Sequence, residues 1–232
     1  MSGSPVHLLM SFVMTVANAD YVAEAAVDDP VERIRPIDFV PWGWKLFDKS
    51  DGDLNGDGRT DTAIVIQKND PRAVISNPSG SSVFRYDANP RVLLVVLQDH
   101  GGRYRRVAFS ERIIPDHDSS SIGDPYGEMR IEAEALHLDL RFFANRGSWE
   151  SSNREFQFRW DGEAMALIGF DIRNIRRNTG ELRATSIDYR TGRRKHAQGS
   201  IQDDELQWRW TELPRVTPPT LNAIGDGFAF VG

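Results

Sequence analysis

From Phe39 onward the apolar residues recur with a period of two rather than 3.6. Successive Cβ atoms of an extended chain point to opposite sides, so this alternation belongs to half-buried strands. Phe156, Phe158 and Trp160 alternate with Gln157 and Arg159, and Leu206, Trp208 and Trp210 repeat the pattern near the end. Arg91–Gln98 (RVLLVVLQ) is instead nearly continuously apolar, which predicts a central strand covered on both faces. Ala63–Gln67 is a shorter apolar run. Turn residues punctuate the runs at His100-Gly101-Gly102, Asp161-Gly162, Asn178-Thr179-Gly180 and Thr191-Gly192. The alternation changes phase between Ala135 and Leu136, which calls for a tight turn or a bulge near Glu134-Ala135. Stretches 69–90 and 115–127 read as loops. No stretch supports a long helix. The pattern predicts a mainly β protein, an antiparallel meander forming a single-domain sandwich or open barrel.

The chain contains no cysteine, so disulfides, thiolate metal sites and thiol catalysis are excluded. Its formal net charge of −6 gives no general attraction for nucleic acid. The first nineteen residues carry no Lys, Arg, Asp or Glu. Val6–Val16 is apolar, too short to span a bilayer, and is followed by Ala17-Asn18-Ala19, the form of a signal-peptidase site. Residues 1–19 therefore read as a signal peptide, which predicts a periplasmic or secreted bacterial protein without a transmembrane segment. Residues 20–38 read as an N-terminal extension, 39–213 as the β domain and 214–232 as a tail.

One loop carries a specific chemical pattern. Asp53-Leu54-Asn55-Gly56-Asp57-Gly58-Arg59-Thr60-Asp61 has the form D-x-N-x-D-G-x-x-D. Calcium is a hard cation that takes six to eight oxygens. Side-chain oxygens of Asp53, Asn55 and Asp57 can converge if the chain turns at Gly58. The Arg59 carbonyl and the Asp61 carboxylate complete the set. The ion would offset the repulsion of the three carboxylates and order the loop. An EF-hand is excluded by Ile64, which stands where a bidentate Glu would be required. The loop and the strand Thr62-Ala63-Ile64-Val65-Ile66 resemble the calcium loop of FG-GAP and VCBS-type repeat proteins. The longer string Gly43-Trp44-Lys45-Leu46-Phe47-Asp48 with Gly52–Gly58 is similar to uncharacterised exported bacterial β proteins. Trp160–Gly169, Thr179-Gly180-Glu181 and Thr185–Gly192 extend that similarity. The resemblance implies a Ca2+ site on these ligands. The loop occurs once in this chain, whereas those families hold several copies.

Other constellations carry less. Asp116, Asp118 and Asp124 lack a glycine-centred cage and read as a solvated loop. Glu132 and Glu134 read as the solvent side of one strand. Trp160, Trp208 and Trp210 are expected in the core, and Trp149 as a loop anchor that could also serve as a ligand platform. Residues 183–201 form a basic hairpin, in which Arg183, Arg190, Arg193, Arg194 and Lys195, with Trp149, are the candidate partner surface. No catalytic residue is identified. The sequence thus predicts a non-catalytic envelope or extracellular module with one structural Ca2+. Its partner would be an envelope component, an anionic polymer or a protein. The competing expectation is a polysaccharide or cell-wall hydrolase whose acids the sequence does not single out.

Overall fold

The computed structural model describes residues 32–77, 84–203, 205–214 and 217–232. The expected signal peptide and residues 20–31 lie outside them. Fourteen strands are formed among the described residues: β1 (Glu32–Arg33), β2 (Trp44–Gly52), β3 (Asp61–Lys68), β4 (Val74–Asn77), β5 (Phe84–Asp87), β6 (Arg91–Gln98), β7 (Tyr104–Ser110), β8 (Tyr126–Glu132), β9 (Ala135–Phe143), β10 (Glu150–Trp160), β11 (Met165–Arg176), β12 (Glu181–Asp188), β13 (Arg193–Ser200) and β14 (Trp208–Glu212). The helical pieces among the described residues are short 3-10 turns, the longest being Pro36–Phe39. All strand pairs are antiparallel, as the period-two pattern predicts.

The strands form a five-stranded sheet in the order β1-β7-β6-β3-β2 and a seven-stranded sheet in the order β14-β13-β12-β11-β10-β9-β8, with β4 and β5 pairing separately. The seven-stranded sheet is a pure meander, because each of its turns is only a few residues long. The phase change at Ala135 is a two-residue turn. Ala133 and Glu134 both adopt positive φ, 50° and 59°, the conformation that closes a tight hairpin. Two expectations are corrected here. Glu134 sits in that turn, so Glu132 and Glu134 do not share a strand face. Stretch 69–90 is not simply a loop, since it holds the β4–β5 hairpin.

The sheets share one core. Ala63, Val65, Leu93, Val95 and Ala108 from one sheet join Leu136, Leu138, Leu140, Phe156, Phe158 and Phe170 from the other. Phe156 and Phe170 lie 4.9 Å apart, centroid to centroid. The seven-stranded sheet alternates core and solvent residues. In β3 and β6, by contrast, Asp61–Gln67 and Arg91–Leu97 are buried at every position, so both faces are covered as the apolar run of β6 requires.

Two seams join the sheets. At one, β2 meets β8: the Ile131 amide donates to Ser50 Oγ at 2.9 Å, and the Tyr126 hydroxyl donates to Asp48 Oδ2 at 2.5 Å. Nearby, Arg91 makes a two-pronged ion pair with Asp124 at 2.5 and 2.7 Å while lying 4.1 Å from the Phe47 ring centroid. Asp124 is therefore a structural anchor and not simply a solvated loop residue. The other seam is the C-terminal segment, expected as a tail. Leu221 is fully buried, Thr220 bridges to Ala166, and the Phe109 amide donates to Asn222 Oδ1 at 3.2 Å. Phe230 packs on both Phe156 and Phe170.

Gly227 fits because it has no side chain: a Cβ there would lie 2.3 Å from the Ile113 carbonyl oxygen and 2.4 Å from Leu140 Cδ1. Gly227→Ala is expected to lower the unfolding free energy by about 1–3 kcal/mol through overpacking. Phe156→Ala should lower it by about 3–5 kcal/mol through a cavity. Urea denaturation of both variants measures this. A Gly227→Ala protein as stable as the parent would show that the C-terminal segment is not part of the core.

Candidate functional site

Two places carry clustered chemistry. The first is the loop between β2 and β3. Asp53 is its hub: Oδ1 accepts the amides of Gly56 at 2.7 Å and of Asn55 and Asp57 at 3.2 Å, and Oδ2 accepts the Gly58 amide at 2.7 Å. The turn needs left-handed backbone at Gly56 (φ 76°) and Gly58 (φ 79°), which glycine adopts without a Cβ penalty. Asn55 Oδ1 accepts the Asp57 amide at 3.0 Å, and Asp57 Oδ1 accepts the Arg59 amide at 2.9 Å. The Gly58 amide above all, with those of Gly56, Asn55 and Asp57, holds the Asp53 carboxyl below the usual carboxylate range.

Asp61 plays a different part. It is fully buried, and its two oxygens accept the Gln98 amide at 2.8 Å and the Leu54 amide at 2.9 Å. This carboxylate pins the loop to the end of β6. Burial pushes its pKa up, the amides of Gln98 and Leu54 only partly offset that, and the charges of Asp57 and Asp53 add to the rise.

The donors are those a hard cation requires: carboxylates of Asp53, Asp57 and Asp61, the Asn55 amide oxygen and the Arg59 carbonyl. Positive charge inside the loop comes from Arg59 itself. Its Nη2 donates to Asp57 Oδ2, which also accepts Asn55 Nδ2 at 2.8 Å. Among the described residues no three His, Cys, Asp or Glu side chains converge on one point.

The second place is the face of the seven-stranded sheet turned away from the core. Strand register sets Asp139, Glu155, Asp171, Ser186, Lys195 and Trp210 in one row across six strands. Arg141, Asn153, Arg173, Ala184, Ala197 and Trp208 form the neighbouring row. A groove of about 330 Å³ runs there, lined by Asp139, Glu155, Asp171, Arg173, Leu206 and Trp208. Glu155 accepts Arg130 Nη2 at 2.7 Å and lies 2.7 Å from His137 Nδ1. Burial first, then the Glu155 charge, raises the Asp139 pKa against the pull of Arg130. Burial raises that of Asp171 as well, against the Ser186 hydroxyl.

Trp208 and Trp210 are not core residues. They lie 39% and 59% exposed on the edge strand β14. Lys195 Nζ stands 4.7 Å from the Trp208 ring and 5.7 Å from Trp210, and Arg193 stands 5.2 Å from Trp210. Trp160, as expected, packs against the core.

The predicted basic surface does not form one patch. Arg193 and Lys195 share the outer face with the two tryptophans. Arg183 points to the opposite face beside Glu181, with which it pairs at 2.7 Å. Arg194 also turns away from them and donates to the Gly232 carbonyl at 3.1 Å. Arg190 lies in the β12–β13 turn, where it contacts Asp188 at 3.4 Å. Trp149 is on a separate loop, 62% exposed and 5.8 Å from the Arg177 guanidinium.

The full carboxylate row escaped sequence reasoning because a bulge brings Asp171 into it. Leu167 pairs with Phe158, but Gly169 pairs with Gln157, so Ile168 is extra. That residue moves Asp171 opposite Glu155; a regular hairpin would place Phe170 there. The signal was present as a second phase change, from Met165 and Leu167 to Phe170 and Ile172. Compared with family models, curated proteins and solved structures, the chain matches none.

Asp61→Ala leaves the buried Leu54 amide and the half-buried Gln98 amide without acceptors, each worth about 1–3 kcal/mol. Thermal and urea unfolding in EDTA should show a loss of about 2–4 kcal/mol. Asp57→Ala removes a carboxylate whose partners, the Arg59 guanidinium and amide and Asn55 Nδ2, lie at exposed positions, and it should cost less than about 1 kcal/mol. Equal losses for the two would refute the anchoring role of Asp61.

Proposed function

We propose that this chain is an exported, non-catalytic accessory module that binds an anionic polymer of the cell envelope or exterior. Its binding surface would be the outer face of the seven-stranded sheet. One observation carries this reading: the exposed Trp208 and Trp210 stand beside Lys195 and Arg193, and Trp208 lines the groove. Neither cation forms an ion pair among the described residues. Aromatic faces stack on the apolar faces of sugar rings, and the two cations would meet acidic substituents. In the same reading the 53–61 loop holds one structural Ca2+ through Asp53, Asn55, Asp57, the Arg59 carbonyl and Asp61. That ion would supply charge compensation at the strand junction.

Titration with a polyuronate, read by tryptophan fluorescence, tests the surface. The parent protein is expected to show a saturable, salt-sensitive change. Trp208→Ala/Trp210→Ala should abolish it with little loss of stability, since both side chains are exposed. A flat titration, or an unchanged one in the double variant, would dismiss this surface.

A second reading, a polysaccharide hydrolase, is favoured by the row Asp139–Glu155–Asp171. Directly paired residues of adjacent antiparallel strands have Cβ atoms roughly 5 Å apart, within the range of carboxyl separations that retaining glycosidases use. Glu155, supported by Arg130 and His137, would act as the charged partner and Asp171 as the acid. Because the Asp171 pKa is raised, its acid form persists above the usual carboxylate range, and activity would fall as pH rises through that raised value. Reducing-end release from polyuronate and neutral glucan should then disappear in Glu155→Gln and in Asp171→Asn. No release by the parent at any pH from 4 to 8 would remove this reading.

A further inference from the structure

On the outer face of the seven-stranded sheet, the row beside the acids is paired differently from them. Strand register aligns Arg141 on β9, Asn153 on β10, Arg173 on β11, Ala184 on β12, Ala197 on β13 and Trp208 on β14. Arg141, Asn153 and Arg173 are exposed, and none of their side chains has a hydrogen bond or ion pair among the described residues. In the acid row, by contrast, Asp139 and Glu155 accept Arg130 at 3.1 and 2.7 Å, and Asp171 meets the Ser186 hydroxyl. The acids have their partners inside the protein, whereas the two arginines present free guanidinium forks to solvent.

Register also fixes the spacing. Neighbouring strands lie about 4.8 Å apart, so Arg141 and Arg173, two strands apart, stand about 10 Å from each other. The whole row, from Arg141 to Trp208, spans about 24 Å. Asn153 lies midway between the arginines. Ala184 and Ala197 are short and buried, so the floor stays low between Arg173 and the exposed Trp208. The same groove of about 330 Å³ takes in Arg141, Asn153, Arg173, Ala184 and Trp208. The acid row bounds it on one side, and the apolar Phe143, Ile175 and Leu182 on the other.

A guanidinium fork pairs with carboxylate, sulfate or phosphate, and an indole face stacks on a sugar ring. One pyranose in an extended chain advances by about one strand spacing, about 5 Å. A chain laid across the strands therefore sets about one sugar over each. The two arginines then meet acid groups on alternate sugars, and Asn153 faces the hydroxyls of the sugar between. The flanking carboxylates repel an anionic chain that strays from the row. We infer that this row is a track for an acidic polysaccharide whose acid groups recur on every second sugar, running across the strands from Trp208 to Arg141. This assignment rests on the polymer-binding reading given above and adds the path of the ligand and its charge spacing.

Calorimetric titration of the full chain with hyaluronan oligosaccharides, which carry one carboxylate per disaccharide, tests it. Affinity is expected to rise with length up to about six sugars, one for each strand of the row, and then to level off. Arg141→Gln/Arg173→Gln should weaken hexasaccharide binding about tenfold, and Arg141→Lys/Arg173→Lys about threefold, since lysine keeps the charge and loses the fork. Both arginines are exposed and unpaired, so the urea midpoints of these variants should match that of the parent. A galacturonate hexamer, with a carboxylate on every sugar, should bind no more tightly than the hyaluronan hexasaccharide despite its greater charge.

If Trp208→Ala/Trp210→Ala abolishes binding while the arginine variants bind as tightly as the parent, the polymer is held at the edge strand alone; the track falls and the polymer-binding reading stands. The same follows if a polyuronate binds and hyaluronan does not. Tighter binding of the galacturonate hexamer would reduce the recognition to plain charge attraction and overturn the spacing. If no acidic saccharide titrates, both readings fall.

Discussion

The structure depends on one shared apolar layer. A sheet with one oily face is unstable alone, and each of the two sheets supplies the cover the other lacks. Ala63, Val65, Leu93 and Val95 provide a smooth branched surface. Phe156, Phe158, Phe170 and the leucines of β9 fill it from the opposite side. The C-terminal segment completes this layer, with Leu221 buried between β7 and β11 and Phe230 stacked on two core phenylalanines. With no cysteine in the chain, this packing and the polar seams around it must carry the stability.

The polar seams fix the relative setting of the elements that hydrophobic contact alone leaves open. Arg91 reaches from β6 to Asp124 just before β8, and Tyr126 reaches back to Asp48 on β2. Asp61 does the same on a smaller scale, binding an amide from the loop before it and another from β6. The Asp61 carboxylate, the Tyr126 hydroxyl and the two Nη groups of Arg91 each have a partner, which offsets the cost of burying them. The loop at 53–61 is thus held from below by Asp61 and from the side by Arg59, whose Nε donates to the Gln98 carbonyl at 3.1 Å.

The outer face of the seven-stranded sheet shows the opposite economy. Its strands alternate, so their solvent-facing residues form ordered rows at strand spacing. Acids lie in one row, arginines in the next, and both rows end on exposed tryptophans at the edge strand. An edge strand of this kind is ordinarily shielded by charge, twist or cover. Here Lys195 and Arg193 lie over the tryptophan rings and give that edge a mixed aromatic and cationic character. The proposals of polymer binding and of hydrolysis draw on the same face, and the chemistry of its two ends separates them.

Much of this was legible in the sequence. Period-two alternation gave the class, and the turn dipeptides gave most hairpins. The aspartate spacing gave the loop, because local hydrogen bonds within nine residues need no tertiary information. What the sequence left open has a common physical cause. Alternation tells which residues share a side of a strand, but not which side is covered or which residues stand opposite. Trp208 and Trp210 alternate as core residues do, yet β14 is the sheet's edge strand and both side chains remain exposed. Arg183 and Lys195 are both basic and lie in one hairpin, yet register sends them to opposite faces. The extra residue at Ile168 moved Asp171 beside Glu155, and only the paired strands reveal that row. The sequence by itself determined strands, turns and the hydrogen-bonded aspartate turn at Asp53–Gly58, since those are set by contacts between near neighbours. The tertiary structure alone decided the register, the exposed face and the partner of Arg59, since each depends on residues far apart in the chain.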